Sequence, residues 1–254
     1  MVAQSPAVQG KIEMRRIVGL LLIVIVVFAG AACSLSRVPQ AACETGQEYN
    51  RGAEGRSDNA PDWFYPEWVA NAQFNRPIVV LDTDSALGSH SLKTKEVGLK
   101  DLARIHGHLC DGLVIGFVQI KSVLARLFPS GVVDRTDLTA VSKNGACWVD
   151  AVSFMTGARI NFDTLRIDDS VGDGFVLHRI STGETYSVHL KPGVFPDAQA
   201  ALEEKLRRLR AQGRPVSADD LEALEQMANA LSRKMLNAPP PDLLKIRRLA
   251  PIRQ

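Results

Sequence analysis

Two short segments of the chain concentrate side chains that bind metals or move protons. The first, RIHGHLCDGL at residues 104–113, contains His106, His108 and Cys110. The second, NGACWVDA at residues 144–151, contains Cys147 and Asp150. Thiolates and imidazoles bind zinc and other first-row transition metals well, and a carboxylate can orient an imidazole or accept a proton. These residue types and their spacing therefore predict a transition-metal site, with zinc as the first choice.

The first segment is predicted to interrupt the helical pattern rather than continue it. On a continuous helix, His106 and His108 would point roughly 200° apart and could not share a site. The flanking glycines permit a break, so we predict that a long helix begins at Cys110 or Asp111. Cys147 also lies at the start of a predicted helix. A helix N-terminus favours a thiolate, so both cysteines are expected to be good metal ligands.

Hydrophobic periodicity predicts an α+β fold, with a small mixed or antiparallel sheet covered by helices. The predicted order is helix, strand, helix and then three strands, followed by a C-terminal pair of amphipathic helices, the second capped by Ser217. The main elements are helices at 96–106, 111–128 and 146–155, and strands near 78–82, 138–142, 164–168, 175–180 and 185–190.

The N-terminus has the pattern of an export signal or membrane anchor. Basic residues precede an apolar run at residues 17–33, which ends in Ala31, Ala32 and Cys33. Lipid attachment at Cys33, ordinary cleavage and an uncleaved anchor all remain open, and all three export the rest of the chain. We therefore expect a membrane-anchored, extracytoplasmic protein, on the periplasmic side or the cell surface. The predicted division is 1–33 signal peptide or anchor, 34–76 tether and aromatic packing segment, 77–196 α+β domain and 197–254 C-terminal helical extension.

The composition limits the classes of partner. The chain has 254 residues, is 46% hydrophobic and carries a formal net charge of only +2, without a basic stripe. A nucleic acid is therefore not an expected partner. The expected partners are a metal or small molecule and, through the N-terminal segment, the membrane. An apolar stripe on the last helix predicts a packing surface or a homodimer contact, formed by Leu221, Leu224, Leu231 and Met235.

The two chemistry-bearing segments together resemble the FmdE family, which takes its name from a component of formylmethanofuran dehydrogenase. The family pattern combines an HGHxCPG segment with an NxxCxxDAxxxxTG segment. The resemblance covers about residues 95–195 and implies an α+β domain with a metal bound in a pocket lined by the histidine-cysteine segment and the second cysteine. The matching positions are His106, Gly107, His108, Cys110 and Gly112, then Asn144, Cys147, Asp150, Ala151, Thr156 and Gly157.

The chain also departs from the family pattern. Asp111 stands where the family has proline, and ARINFDTLRIDD replaces the family's cysteine- and glycine-rich CTxGKGNL segment, so one thiol and one lysine are missing. The C-terminal cysteine-rich module of some relatives is missing too. Chemistry that uses those groups is not expected here. Formylmethanofuran oxidation is not expected either, because the molybdenum or tungsten pterin chemistry of that complex resides in its other components.

Three hypotheses for function follow. In the first, His106, Cys110 and Cys147 bind the metal, which assists catalysis on a small molecule, while His108 or Asp150 moves the proton. In the second, the pocket binds or transfers a metal, a haem or a small ligand without catalysis. In the third, Cys110 and Cys147 form a disulfide in an inert exported domain. The remaining histidines of the predicted hairpin, His178 and His189, are expected to have structural roles in the sheet, and a contact of one of them with the pocket stays open as the alternative.

Overall fold

The computed structural model describes residues 64–83 and 93–250, in which short strands alternate with helices. The helices are α1 (Glu67–Ala70), α2 (Leu99–His106), α3 (Asp111–Leu127), α4 (Ala146–Thr156), α5 (Asp197–Ala211), α6 (Ala218–Asn237) and α7 (Pro240–Leu243). The strands are β1 (Ile78–Leu81), β2 (Lys95–Val97), β3 (Val132–Asp134), β4 (Leu138–Ser142), β5 (Leu165–Ile167), β6 (Gly174–Arg179), β7 (Thr185–Leu190) and β8 (Leu244–Leu249).

Within these ranges, the strands form two mixed sheets. The smaller sheet has the order β2-β1-β3, with β1 antiparallel to β2 and parallel to β3. The larger sheet has the order β5-β4-β6-β7-β8, in which only the β4-β5 pair is parallel. In β4 buried and half-buried residues alternate, as expected for a strand with one face on the core.

Helix α3 lies at the centre of the hydrophobic core. Every residue from Leu113 to Ile120 is buried, so this helix is covered on all sides rather than along one stripe. It packs against α4, α6, β6 and β7. Two of its glycines make the contact with α4 close, because a Cβ atom at Gly112 would lie 3.2 Å from Cys147 Sγ and one at Gly116 would lie 2.9 Å from Ala151 Cβ.

The predicted α+β class is confirmed, and α3, β4, α4 and β5–β7 follow the predicted order helix, strand, helix, three strands. The strands form two sheets instead of the one predicted, and strand β3 between α3 and β4 is not among the predicted strands. The long helix begins at Asp111, as predicted, and α4 ends where Gly157 takes up a left-handed conformation with φ of 77°. The predicted start of the preceding helix at residue 96 is wrong, because Lys95–Val97 pairs with β1 and α2 begins only at Leu99.

The C-terminal helical pair is present, and a further strand follows it. Ser217 caps α6 by accepting a hydrogen bond from the backbone N–H of Asp220 at 3.1 Å. Helices α5 and α6 pack on each other, α6 packs on α3, and β8 then pairs with β7 at the edge of the larger sheet. Of the predicted apolar stripe on α6, Leu231 and Met235 are buried in the core of this chain, whereas Leu221 is 43% exposed.

The predicted signal peptide or anchor at residues 1–33 lies outside the described residues, as does most of the tether. In the part of the chain that the structure describes, we find no helix of the length and hydrophobicity needed to cross a membrane.

Candidate metal centre

A break between α2 and α3 positions the first two candidate ligands. His106 is the last residue of α2, and Gly107 ends that helix in the left-handed region with φ of 95°. Cys110 then precedes α3 in extended backbone conformation, with φ of −136°. Glycine adopts a positive φ without strain, so the sequence HGH permits the turn that brings His106 and Cys110 to the same place.

The third candidate ligand comes from α4, which packs across α3. Cys147 is the second residue of α4, and the missing side chain at Gly112 leaves room for its sulfur. The ligand atoms of His106, Cys110 and Cys147 all lie within 4.8 Å of one another. The structure therefore brings together the three residues that the sequence predicts as metal ligands.

The distances between these donor atoms lie within about 0.4 Å of the edges of a metal tetrahedron. The two sulfurs are 3.4 Å apart, and His106 Nε2 lies 3.9 Å from Cys110 Sγ and 3.5 Å from Cys147 Sγ. Zinc bonds of about 2.3 Å to sulfur and about 2.0–2.1 Å to nitrogen place tetrahedral ligand atoms roughly 3.5–3.8 Å apart. The donor set fits zinc, and three protein ligands leave the fourth position to water or a substrate.

Asp150 orients the candidate histidine ligand. Its Oδ2 atom lies 2.8 Å from Nδ1 of His106, whose side chain is only 5% exposed. A proton on Nδ1 that is donated to this carboxylate leaves Nε2 free to bind a metal. The structure thus gives Asp150 a positioning contact with His106, and Asp150 does not line the neighbouring cleft.

The two thiols are not bonded to each other, and their contact shifts their pKa values in opposite directions. Cys110 and Cys147 are free cysteines, and their 3.4 Å separation is far longer than the roughly 2.05 Å of a disulfide. The hydrogen bond with Cys110, opposed by burial and assisted by His106, lowers the pKa of Cys147 to about 6. The same hydrogen bond, together with burial, raises the pKa of Cys110. Cys147 is therefore the more acidic of the two thiols.

A cleft of about 820 Å³, here called the metal cleft, opens beside the two sulfurs. Its floor includes Cys110 and Cys147, and His108 also lines it. The His108 ring lies 4.6 Å from the His106 ring, centroid to centroid, so His108 is close to the centre without joining the three donor atoms. A small molecule in the cleft would therefore meet both the sulfurs and a free imidazole.

Helix α5 forms one wall of the metal cleft, which the sequence did not indicate. Glu203, Glu204 and Arg207 of α5 line the cleft. The fully buried Gln199 attaches this wall to the site, because its Nε2 atom donates to Asp111 Oδ2 at 2.5 Å and to Glu203 Oε1 at 3.0 Å. Asp111, the departure from the family pattern, thus anchors α5 at the N-terminus of α3.

Two further basic residues line the metal cleft, His189 of β7 and Lys143 just after β4. For His189 the first expectation is a structural role in the hairpin, with a contact to the pocket as the open alternative, and the structure places it at the cleft. Lys143 lies in the same cleft, paired with Asp173 and 4.5 Å from the centroid of the Trp148 ring. By contrast, His178 is buried and hydrogen-bonded to Thr185 at 2.9 Å, as expected.

One comparison with known proteins, the family model, identifies the family of this chain. A crystal structure of a tungsten formylmethanofuran dehydrogenase FmdE-like protein from Syntrophus aciditrophicus is 18% identical, with a TM-score of 0.38 over 60% of this chain and 72% of that chain. No curated protein matches. The family model described as FmdE, Molybdenum formylmethanofuran dehydrogenase operon, matches residues 105–245, which include both motifs and extend through α5 and α6 into β8. Because this match spans more than half of the 254 residues, the chain belongs to the FmdE family.

Proposed function

We propose that this FmdE protein binds a transition metal, with zinc as the first choice, through His106, Cys110 and Cys147, and that the metal assists a reaction of a small molecule in the metal cleft. The observation that carries the proposal is the meeting of three donor atoms, from two helix N-termini and one helix C-terminus, beside an open cleft. When bound, such a metal supplies Lewis-acid activation of water or of a carbonyl group.

The protein's own residues have distinct parts in this proposal. Asp150 holds the Nδ1 proton of His106, and the Cys110–Cys147 pair supplies the negative charge that neutralises the cation. His108 lines the cleft and is exposed, so it is the residue best placed to move a proton to or from a substrate. Asp150 points at His106 instead, which makes it a positioning residue.

Metal content and free thiols measured on one sample of the full chain test the metal site. The chain is purified without chelator, and its metals are quantified by inductively coupled plasma mass spectrometry. We expect about one equivalent of metal in the wild-type chain and in the control Cys43→Ser, whose position lies outside the family match. Cys110→Ser and Cys147→Ser should lose it. Full occupancy in either variant would contradict the ligand assignment, and a wild-type chain with neither metal nor free thiols would support the disulfide hypothesis.

An open coordination position distinguishes a catalytic centre from a purely structural one. Cobalt(II) replaces zinc in such sites and reports its ligands through its visible spectrum. We expect added imidazole to change the spectrum of the cobalt-loaded chain, and His108→Ala to leave cobalt binding intact. A spectrum that is insensitive to imidazole would exclude an open position and with it the proposed chemistry.

We further propose that the N-terminal segment tethers the domain on the extracytoplasmic side of a membrane. The support is the apolar run at residues 17–33 behind basic residues. In bacterial spheroplasts that express the full chain, added protease should digest the domain while a cytoplasmic control protein survives. Protection of both proteins would contradict the proposal.

A further inference from the structure

A second cavity, here called the basic cavity, lies on a different part of α3 from the metal cleft. Its volume is about 670 Å³, within the roughly 300–1,000 Å³ range of small-molecule sites. Val118, Ser122 and Ala125 of α3 line one side, and the prolines of α7 and the first residues of β8 line another. The two cavities share no lining residue, so a ligand in the basic cavity would not touch the candidate metal ligands.

Most of the wall of the basic cavity is apolar. Phe74, Val118, Leu244 and Ile246 contribute large hydrophobic side chains. The neighbouring Pro240 and Pro241 of α7 add rigid apolar surface. Such a wall favours a ligand with a hydrocarbon portion, because contact removes apolar surface of both partners from water.

The charges around this apolar wall all have one sign. Lys121, Arg126, Lys191 and Lys245 line the cavity, and no acidic residue is among its lining residues in the described part of the chain. None of the four forms an ion pair with a carboxylate of residues 64–83 or 93–250. These cations repel one another and have no carboxylate partner within these ranges. An anion placed among them would therefore be attracted by several positive charges at once.

Lys121 has neutral hydrogen-bond partners where a carboxylate would be expected. Its ammonium group donates to two neutral backbone carbonyls, Phe74 O at 3.0 Å and Arg76 O at 2.6 Å. Burial, and then the nearby positive charge of Arg76, lower the pKa of Lys121 to about 8. An ammonium has three donors, so one N–H remains for a ligand after these two bonds.

We propose that the basic cavity binds an amphiphilic anion, a carboxylate or phosphate monoester attached to an alkyl chain. The anionic group lies among Lys121, Arg126 and Lys191, and the alkyl chain lies against the apolar wall. The proposal does not depend on the metal function.

Calorimetric titration of the full chain with decanoate, below its critical micelle concentration, tests this site. Decyl phosphate is the second probe, and decyltrimethylammonium, which has the same chain and the opposite charge, is the control. We expect saturable binding of one equivalent of either anion and no binding of the cation. The metal-site variant Cys110→Ser should bind decanoate as the wild type does, because the cavities are separate.

Two variants locate the site, and a third is a charge-matched control for the first. The double variant Arg126→Gln/Lys191→Gln should weaken decanoate binding at least about tenfold, because charge-assisted hydrogen bonds are lost. Ala125→Trp should abolish binding by filling the cavity, since Ala125 is an exposed lining residue with room to grow. The control Arg210→Gln/Arg214→Gln removes the same charge from exposed positions outside the cavity and should bind normally.

Three results would overturn the proposal. One is equal binding of decanoate and decyltrimethylammonium, which would indicate unspecific hydrophobic association. Another is unchanged decanoate binding in both site variants. The third is sedimentation with vesicles that contain anionic phospholipid, without any binding of free decanoate, which would indicate a membrane-surface contact instead of a cavity for single molecules.

Discussion

At the scale of single residues, the candidate centre depends on the fixed direction of one imidazole. His106 has one nitrogen on Asp150 at 2.8 Å and the other near both sulfurs. Without the carboxylate, the ring can carry its proton on Nε2, where the proton competes with the metal. The contact between His106 and Asp150 therefore determines whether Nε2 is free to bind a metal together with the two sulfurs.

Asp150→Asn tests this dependence with an isosteric change. We expect metal affinity to fall about 10- to 100-fold, the usual effect of removing a partner that orients a histidine ligand. Competition titration with a chelating dye measures the change. Asp163→Asn is the control, because Asp163 is an exposed residue in the left-handed region that asparagine tolerates. Equal affinities in Asp150→Asn and the wild type would show that the contact has no part in metal binding.

Oxidation of the two thiols gives a second residue-scale prediction. The sulfurs lie close enough that a modest movement would form a disulfide. We expect diamide, which oxidises two thiols to a disulfide and is itself reduced to the hydrazine, to release the metal together with the loss of two free thiols. Reduction should restore binding. Metal retained after both thiols are lost would contradict the assignment of thiolate ligands.

At the scale of elements, the contact between α3 and α4 sets the distance between the two cysteines. Gly112 and Gly116 lie one helical turn apart on α3 and face Cys147 and Ala151 of α4. Close approach of the helices at these glycines places the N-termini of α3 and α4 side by side. The geometry of the candidate metal centre is therefore a product of helix packing.

Substitutions at the two glycines should have separable effects. Gly116→Ala places a Cβ 2.9 Å from Ala151 Cβ, and this overpacking should destabilise the fold by about 1–3 kcal/mol, despite the higher helix propensity of alanine. Gly112→Ala meets the Cys147 sulfur at 3.2 Å and should mainly weaken metal binding. Urea unfolding and metal titration measure the two effects. Gly98→Ala, whose Cβ meets nothing closer than 3.6 Å, is the control, and equal behaviour of all three would refute the packing argument.

The sequence predicts the bounds of a helix or strand well where a periodic hydrophobic run or a helix-terminating residue is present. The start of α3 and the end of α4 at Gly157 follow from the residues at those positions. Strand β2 has no such mark, because its three residues, KEV, are too short to show a period and merge with the helical pattern that follows. The role of α5 as a wall of the metal cleft depends on the contact of Gln199 with Asp111, which is remote in sequence and leaves no local signal.

At the scale of the whole molecule, Asp137 joins regions that are distant in sequence. Its carboxylate accepts hydrogen bonds from Arg179 Nε at 2.8 Å and from the backbone N–H of Ser181 at 2.7 Å. Although burial opposes it, bonding to Arg179 and Ser181 holds the pKa of Asp137 below its ordinary value. The ionised form therefore stabilises the fold above the unfolded-state pKa, and this contribution is lost as the pH falls through the folded-state pKa.

Asp137→Asn should make this contribution visible as a pH-dependent difference in stability. At pH 7 we expect a loss of about 1–3 kcal/mol in the free energy of unfolding, because charged hydrogen bonds are removed. The difference from the wild type should shrink as the pH falls below about 4. Urea unfolding over this pH range, with Asp163→Asn as control, measures it. A difference that is constant with pH would contradict the assignment.

The position of α5 and α6 between β7 and β8 separates a wall of the metal cleft from the elements that carry the candidate metal ligands. β7 and β8 are neighbours in one sheet, so α5 and α6, with the short α7, form an insertion between adjacent strands. The candidate metal ligands come from α2–α4, whereas α5 contributes one wall of the metal cleft. Under the proposed function, substitutions along α5 would therefore change which molecules enter the cleft without changing the candidate metal ligands. Selection among small molecules and binding of the metal would then reside on different elements of this chain.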